Sequence, residues 1–323
     1  AIVVAFLGYL SVFIPSLNTS PLYSIIIGLF TIWTLTWINS KEIKTIGFVQ
    51  KITVVLKVIP IILVGIIGIF FIDLNNFYSL EIGNEFNFNS ITVTTTLTFF
   101  AFLGMESATI PSDKINSPNS IIKKATLYGT IFTIIIYILS SISIMGIIPP
   151  TTLAQSSAPF ADAAEVIAGD YSRKVIALGA IIATIGALNG WILIQGQIPM
   201  AASKDKLFPK FFSKTNNNKS PVFGIILSSL LISILLLFSY SKTLVEAFTF
   251  MIKLSTLSVI TPYLFSTASL AVLSKRKFNR LFISFLAFIF SIWIIIGCGI
   301  ETIKLGMIML IAGIPFYFWF KRK

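Results

Sequence analysis

Glu106 stands in the stretch FFAFLGMESATIPSDK, residues 99–114, between aromatic and small residues and inside a segment otherwise apolar enough for a bilayer. An ionisable group at that depth costs a few kcal/mol, so it normally faces a cavity or a partner and marks an ion or substrate path. Gly104 removes a side chain two residues earlier, and Ser107, Ala108 and Thr109 are small or polar, so helical order is expected to break here. A broken helix exposes carbonyl and amide groups that hold a substrate or an ion near the midplane. The alternative is a carboxylate that caps a neighbouring helix or pairs with a buried base. The coincidence of the glycine and the glutamate favours the site.

Two lysines also fall within apolar stretches. Lys57 is about two turns from a basic loop, roughly 9 Å at the helical rise, and snorkelling to the interface is open to it. Lys253 lies deeper and shares its segment with Glu246, seven residues earlier and on nearly the same face, so a ladder along one helix is as good a reading as a functional one. Trp191 follows Gly186-Ala187-Leu188-Asn189-Gly190, where small residues permit close helix approach. A lone tryptophan is more often core or interface belt than ligand contact; its mid-span position argues against the belt.

The chain contains no histidine and one cysteine, Cys298. Histidine-based zinc sites, Ser-His-Asp triads and HExxH chemistry are thereby excluded, as is any disulfide within the chain. No metal site, cofactor or enzymatic centre is expected.

The elements that must position these residues are membrane helices. Of 323 residues 56% are hydrophobic and 11% charged, with a mean hydropathy of +0.93. Crossing the hydrocarbon takes about 20 apolar residues, and such stretches recur at 21–38, 52–72, 91–110, 125–148, 174–198, 221–239, 247–273, 281–299 and 303–320, after a partial segment at 1–14. The expectation is an all-α polytopic bundle, one transmembrane domain over 1–323. The net charge of +12 forms no patch interleaved with aromatics, so nucleic acid is not an expected partner. Lysines and arginines gather in alternate loops (41–51, 114–124, 204–219, 276–280 and 321–323), and most acids lie in the intervening ones. The positive-inside rule then puts the C-terminus in the cytoplasm. Ser20-Pro21-Leu22-Tyr23 and Ser220-Pro221-Val222-Phe223 would open two spans of opposite direction, as in an inverted repeat; preference for proline in a first helical turn explains them equally well.

The segments FFAFLGMESATIPSDKINSPNSIIKKATLYGT, IYILSSISIMGIIPPTTLAQSSAPFADAA, IGALNGWILIQGQIPMAASKDKLFPKFFSK and VITPYLFSTASLAVL together resemble the amino acid, polyamine and organocation transporter superfamily, most of all its bacterial basic amino acid and polyamine antiporters. The resemblance covers essentially the whole chain. It implies a five-plus-five inverted-repeat fold with broken first and sixth helices, in which 91–110 is the sixth helix and 1–14 the end of the third. By that match the first two helices and most of the third would precede Ala1. It further implies that Phe100, Ala101, Leu103 and Gly104 line the substrate site with Trp191 and Ser255. Glu106 and Tyr263 would act in gating or proton response. Lys57 is similar to a fifth-helix lysine that other branches place near the position of a sodium ion in their sodium-coupled relatives. Two departures bear on the substrate: the arginine/agmatine type has tryptophan where this chain has Phe100, and those antiporters generally lack Lys57. Phenylalanine is the weaker cation partner, so a neutral amino acid stays open as substrate.

The expected function is therefore secondary transport of amino acids or polyamines across the inner (plasma) membrane by alternating access, with the lipid bilayer as surroundings. A homodimer is compatible with the resemblance. Two readings compete: an inert fragment of a longer transporter lacking about 100 residues, the length of three helices and their loops, and a channel, which a broken helix with one carboxylate fits less well.

Overall fold

The computed structural model describes residues 1–41, 58–78, 87–104, 118–218, 220–238, 242–273 and 278–321. The described elements are helical throughout. Ten helices carry the architecture: α1 (Ile2–Leu10), α2 (Pro21–Lys41), α3 (Val58–Phe71), α4 (Phe88–Phe100), α5 (Pro118–Ile147), α6 (Pro159–Lys204), α7 (Val222–Leu237), α8 (Leu244–Leu273), α9 (Phe278–Gly297) and α10 (Ile300–Lys321). Each of the nine expected spans has its described part mainly on one of these helices, 52–57 and 105–110 lying outside the described residues, and the partial segment falls mainly on α1. Five of them, α2, α5, α6, α8 and α9, are long and apolar enough within the described residues to cross a membrane. The chain is an all-helical, multi-pass membrane bundle.

The helices begin where local chemistry supplies partners for their first amides. Pro21 opens α2 and Pro159 opens α6, positions where the missing N–H costs nothing. Asn87 caps α4, its side chain accepting from the amides of Asn89 and Ser90 at 3.1 and 3.3 Å. Thr243 and Glu246 form a capping box ahead of α8: Glu246 Oε2 accepts from Thr243 N–H at 3.0 Å, and Thr243 Oγ1 accepts from Glu246 N–H at 3.2 Å. The carboxylate thus faces the start of its own helix, which favours a cap over the ladder towards Lys253. The T-x-x-E spacing was the signal for it.

The chain divides into two compact units, one drawn from 1–81, 136–248 and 315–323, the other from 82–135 and 249–314. In the first, Val3 and Val4 of α1, Ile25, Ile32 and Leu35 of α2, Leu188 and Ile192 of α6 and Ile225 of α7 share one core. Here α2 and α7 run antiparallel: Gly28 lies against Leu236, Thr36 Oγ1 is 2.6 Å from Ser229 Oγ, and Ser220 Oγ donates to the Asn39 carbonyl at 2.8 Å. The two Ser-Pro starts therefore head helices of opposite direction. Where α6 passes α7, Gly196 and Gly224 bring the backbones together, the Gly196 carbonyl oxygen lying 3.2 Å from where a Cβ on Gly224 would be. A second core joins Val64 of α3, Ile144 and Ile147 of α5 and Ala161, Ala164 and Ala177 of α6.

One expected span is longer than its pattern indicated. Helix α6 folds back on itself at Ala168 and Gly169, the latter at φ +81°, so that 159–167 forms a short arm beside the start of the spanning part. Arg173 holds that arm with Nη2 3.1 Å from Asp162 and Nη1 3.0 Å from Glu165.

In the second unit α4 packs on α9, and Gly306 of α10 meets Leu257 of α8. Large apolar side chains point outward along both units; Phe30 is 73% and Phe70 84% exposed. In a bilayer those surfaces meet acyl chains, which are as apolar as leucine.

Candidate functional site

Residues 105–117 lie outside the described ones, and the break expected at Gly104 falls just past the end of α4. Phe100 is its last helical residue, and the amides of Ala101, Phe102 and Leu103 bond to carbonyls only three residues back, at 3.0, 3.0 and 3.1 Å. This tightening is a 3₁₀ turn, whose poorer geometry keeps such runs short. Gly104 then adopts φ +101°, a conformation closed in practice to other residues. Helix α4 thus ends within an apolar segment. Ala101 is exposed, while Phe100, Leu103 and Gly104 are half-buried.

Ser255 and Tyr263 lie on α8 in the same unit, both half-buried. Eight residues separate them, roughly 12 Å along a helix. Pro262, immediately before Tyr263, removes one amide from the ladder of α8. Trp191 is half-buried on the spanning part of α6, in the first unit, between Leu188 and Ile192 of the core. Glu106 and Lys57 lie outside the described residues.

The supports of these residues were not visible as motifs. Asn39 donates from Nδ2 to Oδ1 of Asn189 at 2.8 Å, linking α2 to α6 two residues before Trp191. Thr92 and Thr96, one turn apart on α4, join that helix to α9 ahead of the break. Threonines at i and i+4 were the available signal, though nothing in the sequence names their partner.

A bundle of apolar helices, five of them long enough among the described residues to cross a bilayer, is the architecture of a polytopic membrane protein. The chain belongs to the amino acid permease family, whose profile matches residues 1–318, and with it to the amino acid, polyamine and organocation superfamily. It is 30% identical over 325 residues to the putrescine transporter PotE of Haemophilus influenzae, covering 98% of this chain and 74% of that protein. It is also 30% identical over 320 residues to the arginine/agmatine antiporter of Chlamydia felis, covering 93% of this chain and 65% of the relative. With PotE of Escherichia coli the identity is 30% over 306 residues, 90% of this chain and 69% of the relative. The chain thus spans about two thirds to three quarters of the length of these relatives. Family membership sets it among permeases rather than enzymes.

Proposed function

We propose that this protein is a secondary transporter of amino acids or polyamines, an antiporter or permease working by alternating access in the inner membrane with its C-terminus in the cytoplasm. The observation that carries the reading is the match of residues 1–318 to the amino acid permease family, in a chain 30% identical to a putrescine transporter and to an arginine/agmatine antiporter; α4 ends at Phe100, and Gly104 at φ +101° follows, where the resemblance puts the broken helix. Phe100, Ala101, Leu103 and Gly104 would form one wall of the site, with Trp191 and Ser255 as further contacts. Glu106 and Tyr263 would gate it, and Lys57 would supply a fixed positive charge where sodium-coupled relatives place an ion.

A fixed lysine and a phenylalanine in place of tryptophan support a second substrate class, neutral amino acids, within the same mechanism. Counterflow in proteoliposomes containing the native protein tests both. Labelled putrescine, ornithine, arginine, agmatine, lysine and leucine are offered in turn against each unlabelled compound. Exchange of a cationic compound supports the first substrate class, exchange of leucine alone the second, and exchange of none overturns the transport reading.

A further inference from the structure

The end of α9 and the residue that follows it touch both helices that carry candidate site residues in that unit. Trp293 Nε1 donates to Thr92 Oγ1 at 2.9 Å. Thr96 Oγ1, fully buried, lies 3.0 Å from its own Thr92 carbonyl and 3.1 Å from the Ile294 carbonyl across the interface. Gly297 makes this approach possible: a Cβ there would overlap Thr96 Oγ1 and stand 2.6 Å from the Thr92 carbonyl oxygen. Phe88 stacks on Trp293 with ring centroids 6.1 Å apart, and Phe99 meets Phe290 edge-on at 5.8 Å. One residue beyond the helix, buried Cys298 donates from Sγ to the Lys253 carbonyl of α8 at 3.6 Å, two residues before Ser255.

We propose that the turn Trp293–Cys298 is a positioning clamp, which sets the place of helix α4 and the turn that ends it relative to the Ser255 segment of α8. Thr96 stands one turn before Phe100, so any shift of α4 at this seam is delivered directly to Phe100 and the turn 101–104. The hydrogen bonds fix the rotation of α4 about its axis, and the absent side chain at 297 fixes its distance from α9. Trp293, Thr96 and Gly297 are thus positioning residues that touch no substrate. The significance of the clamp for transport rests on the function proposed above.

Thr96→Val keeps the shape and removes the hydroxyl, Gly297→Ala separates the helices, Trp293→Phe removes one donor, and Thr96→Ser restores the hydroxyl. Hydrogen–deuterium exchange of the native protein in lipid nanodiscs is followed over residues 97–104 and 251–257, alongside KM in counterflow. In the first three variants both segments should exchange about threefold faster, the effect of one interhelical hydrogen bond in a membrane protein, while residues 222–237 stay at the wild-type rate. KM should rise about threefold at constant rate per folded protein, and Thr96→Ser should match wild type in both. Faster exchange in 97–104 alone, unchanged exchange in both segments, or an unchanged KM in a variant with faster exchange overturns the clamp. Should the native protein exchange no compound, the transport proposal fails, and the two exchange segments still decide whether α9 couples α4 to α8. If Thr96→Val does not fold, Trp293→Phe decides alone.

Discussion

Asn39 Nδ2 and Asn189 Oδ1 lie 2.8 Å apart in a seam where Asn39 is wholly buried. The same Nδ2 also donates to the Leu35 carbonyl at 2.8 Å, and the Asn39 backbone carbonyl accepts from Ser220 Oγ. One residue therefore ties α2 to α6 and α7. Asn39→Ala leaves the Asn189 oxygen without this donor inside the bundle, and an unpaired buried polar group costs about 1–3 kcal/mol. Loss of stability in that range is expected from unfolding in mixed detergent. Asn189→Ala should be milder, and the coupling in a double-mutant cycle should be near the roughly 0.6 kcal/mol average for interhelical hydrogen bonds in a membrane protein. Additive single effects would show that the contact carries no energy.

Gly196 and Gly313 are both helical glycines, and the structure predicts opposite outcomes for them. A Cβ on Gly196 would overlap Ile225 Cγ1 and come 3.2 Å from Pro221 and 3.3 Å from the Ile225 amide, whereas one on Gly313 would meet nothing within 4 Å. Gly196→Ala should destabilise by about 1–3 kcal/mol through overpacking. Gly313→Ala should be neutral or stabilise by up to about 1 kcal/mol through helix propensity. Equal thermal stability of the two variants would contradict the close α6–α7 approach.

That contrast shows where sequence reading ends. Apolar runs, prolines at helix starts and the alternation of loop charge mark the spans, because the bilayer imposes length and composition on each segment separately. The face each helix turns to its neighbour has no such mark. Helices apolar on every side carry little amphipathic signal, so neither the Gly297–Thr96 contact nor the Thr36–Ser229 pair could be assigned beforehand. Gly104 was legible because glycine and glutamate interrupted an apolar run; Gly169 was not, because it lies among polar loop residues. Arg173 lies among the acids of an intervening loop, and nothing in the spacing names Asp162 and Glu165 as its partners.

Arg173 gives the third prediction. Its guanidinium spans Asp162 and Glu165, while Ser172 Oγ donates to the carbonyls of Ala164 and Gly169 at 2.5 and 2.6 Å. The group is one-third exposed, so screening by solvent limits the two pairs to about 1 kcal/mol together. Removing them in Arg173→Ala should raise the population of the opened arm about fivefold, read as faster proteolytic nicking within 159–172. High salt should speed nicking of the wild type and leave the variant unchanged. Arg173→Lys, which cannot form the fork, should fall between them.

Phe100 bears on substrate class. If the ring faces the cationic end of a bound substrate, Phe100→Trp should strengthen that contact by about 0.5–1 kcal/mol, since tryptophan has the more negative face. Competition in counterflow should then show two- to fivefold tighter apparent binding of arginine or putrescine, with leucine unchanged. Equal gains for charged and neutral compounds would assign Phe100 to packing.

Glu106 gives the pH prediction. If transport is gated by its protonation, glutamine is a permanent mimic of the neutral acid. Glu106→Gln should therefore hold, at every pH, the rate that wild type reaches at the acid end of its profile, and the slope of rate against pH should vanish. The comparison needs the same amount of folded protein at each pH, since removing an intramembrane charge also lowers its insertion cost by a few kcal/mol and thereby raises yield. A flat profile of rate per folded protein assigns the proton response to Glu106. A profile parallel to wild type, whatever its height, moves that response to another group and leaves the glutamate a structural part.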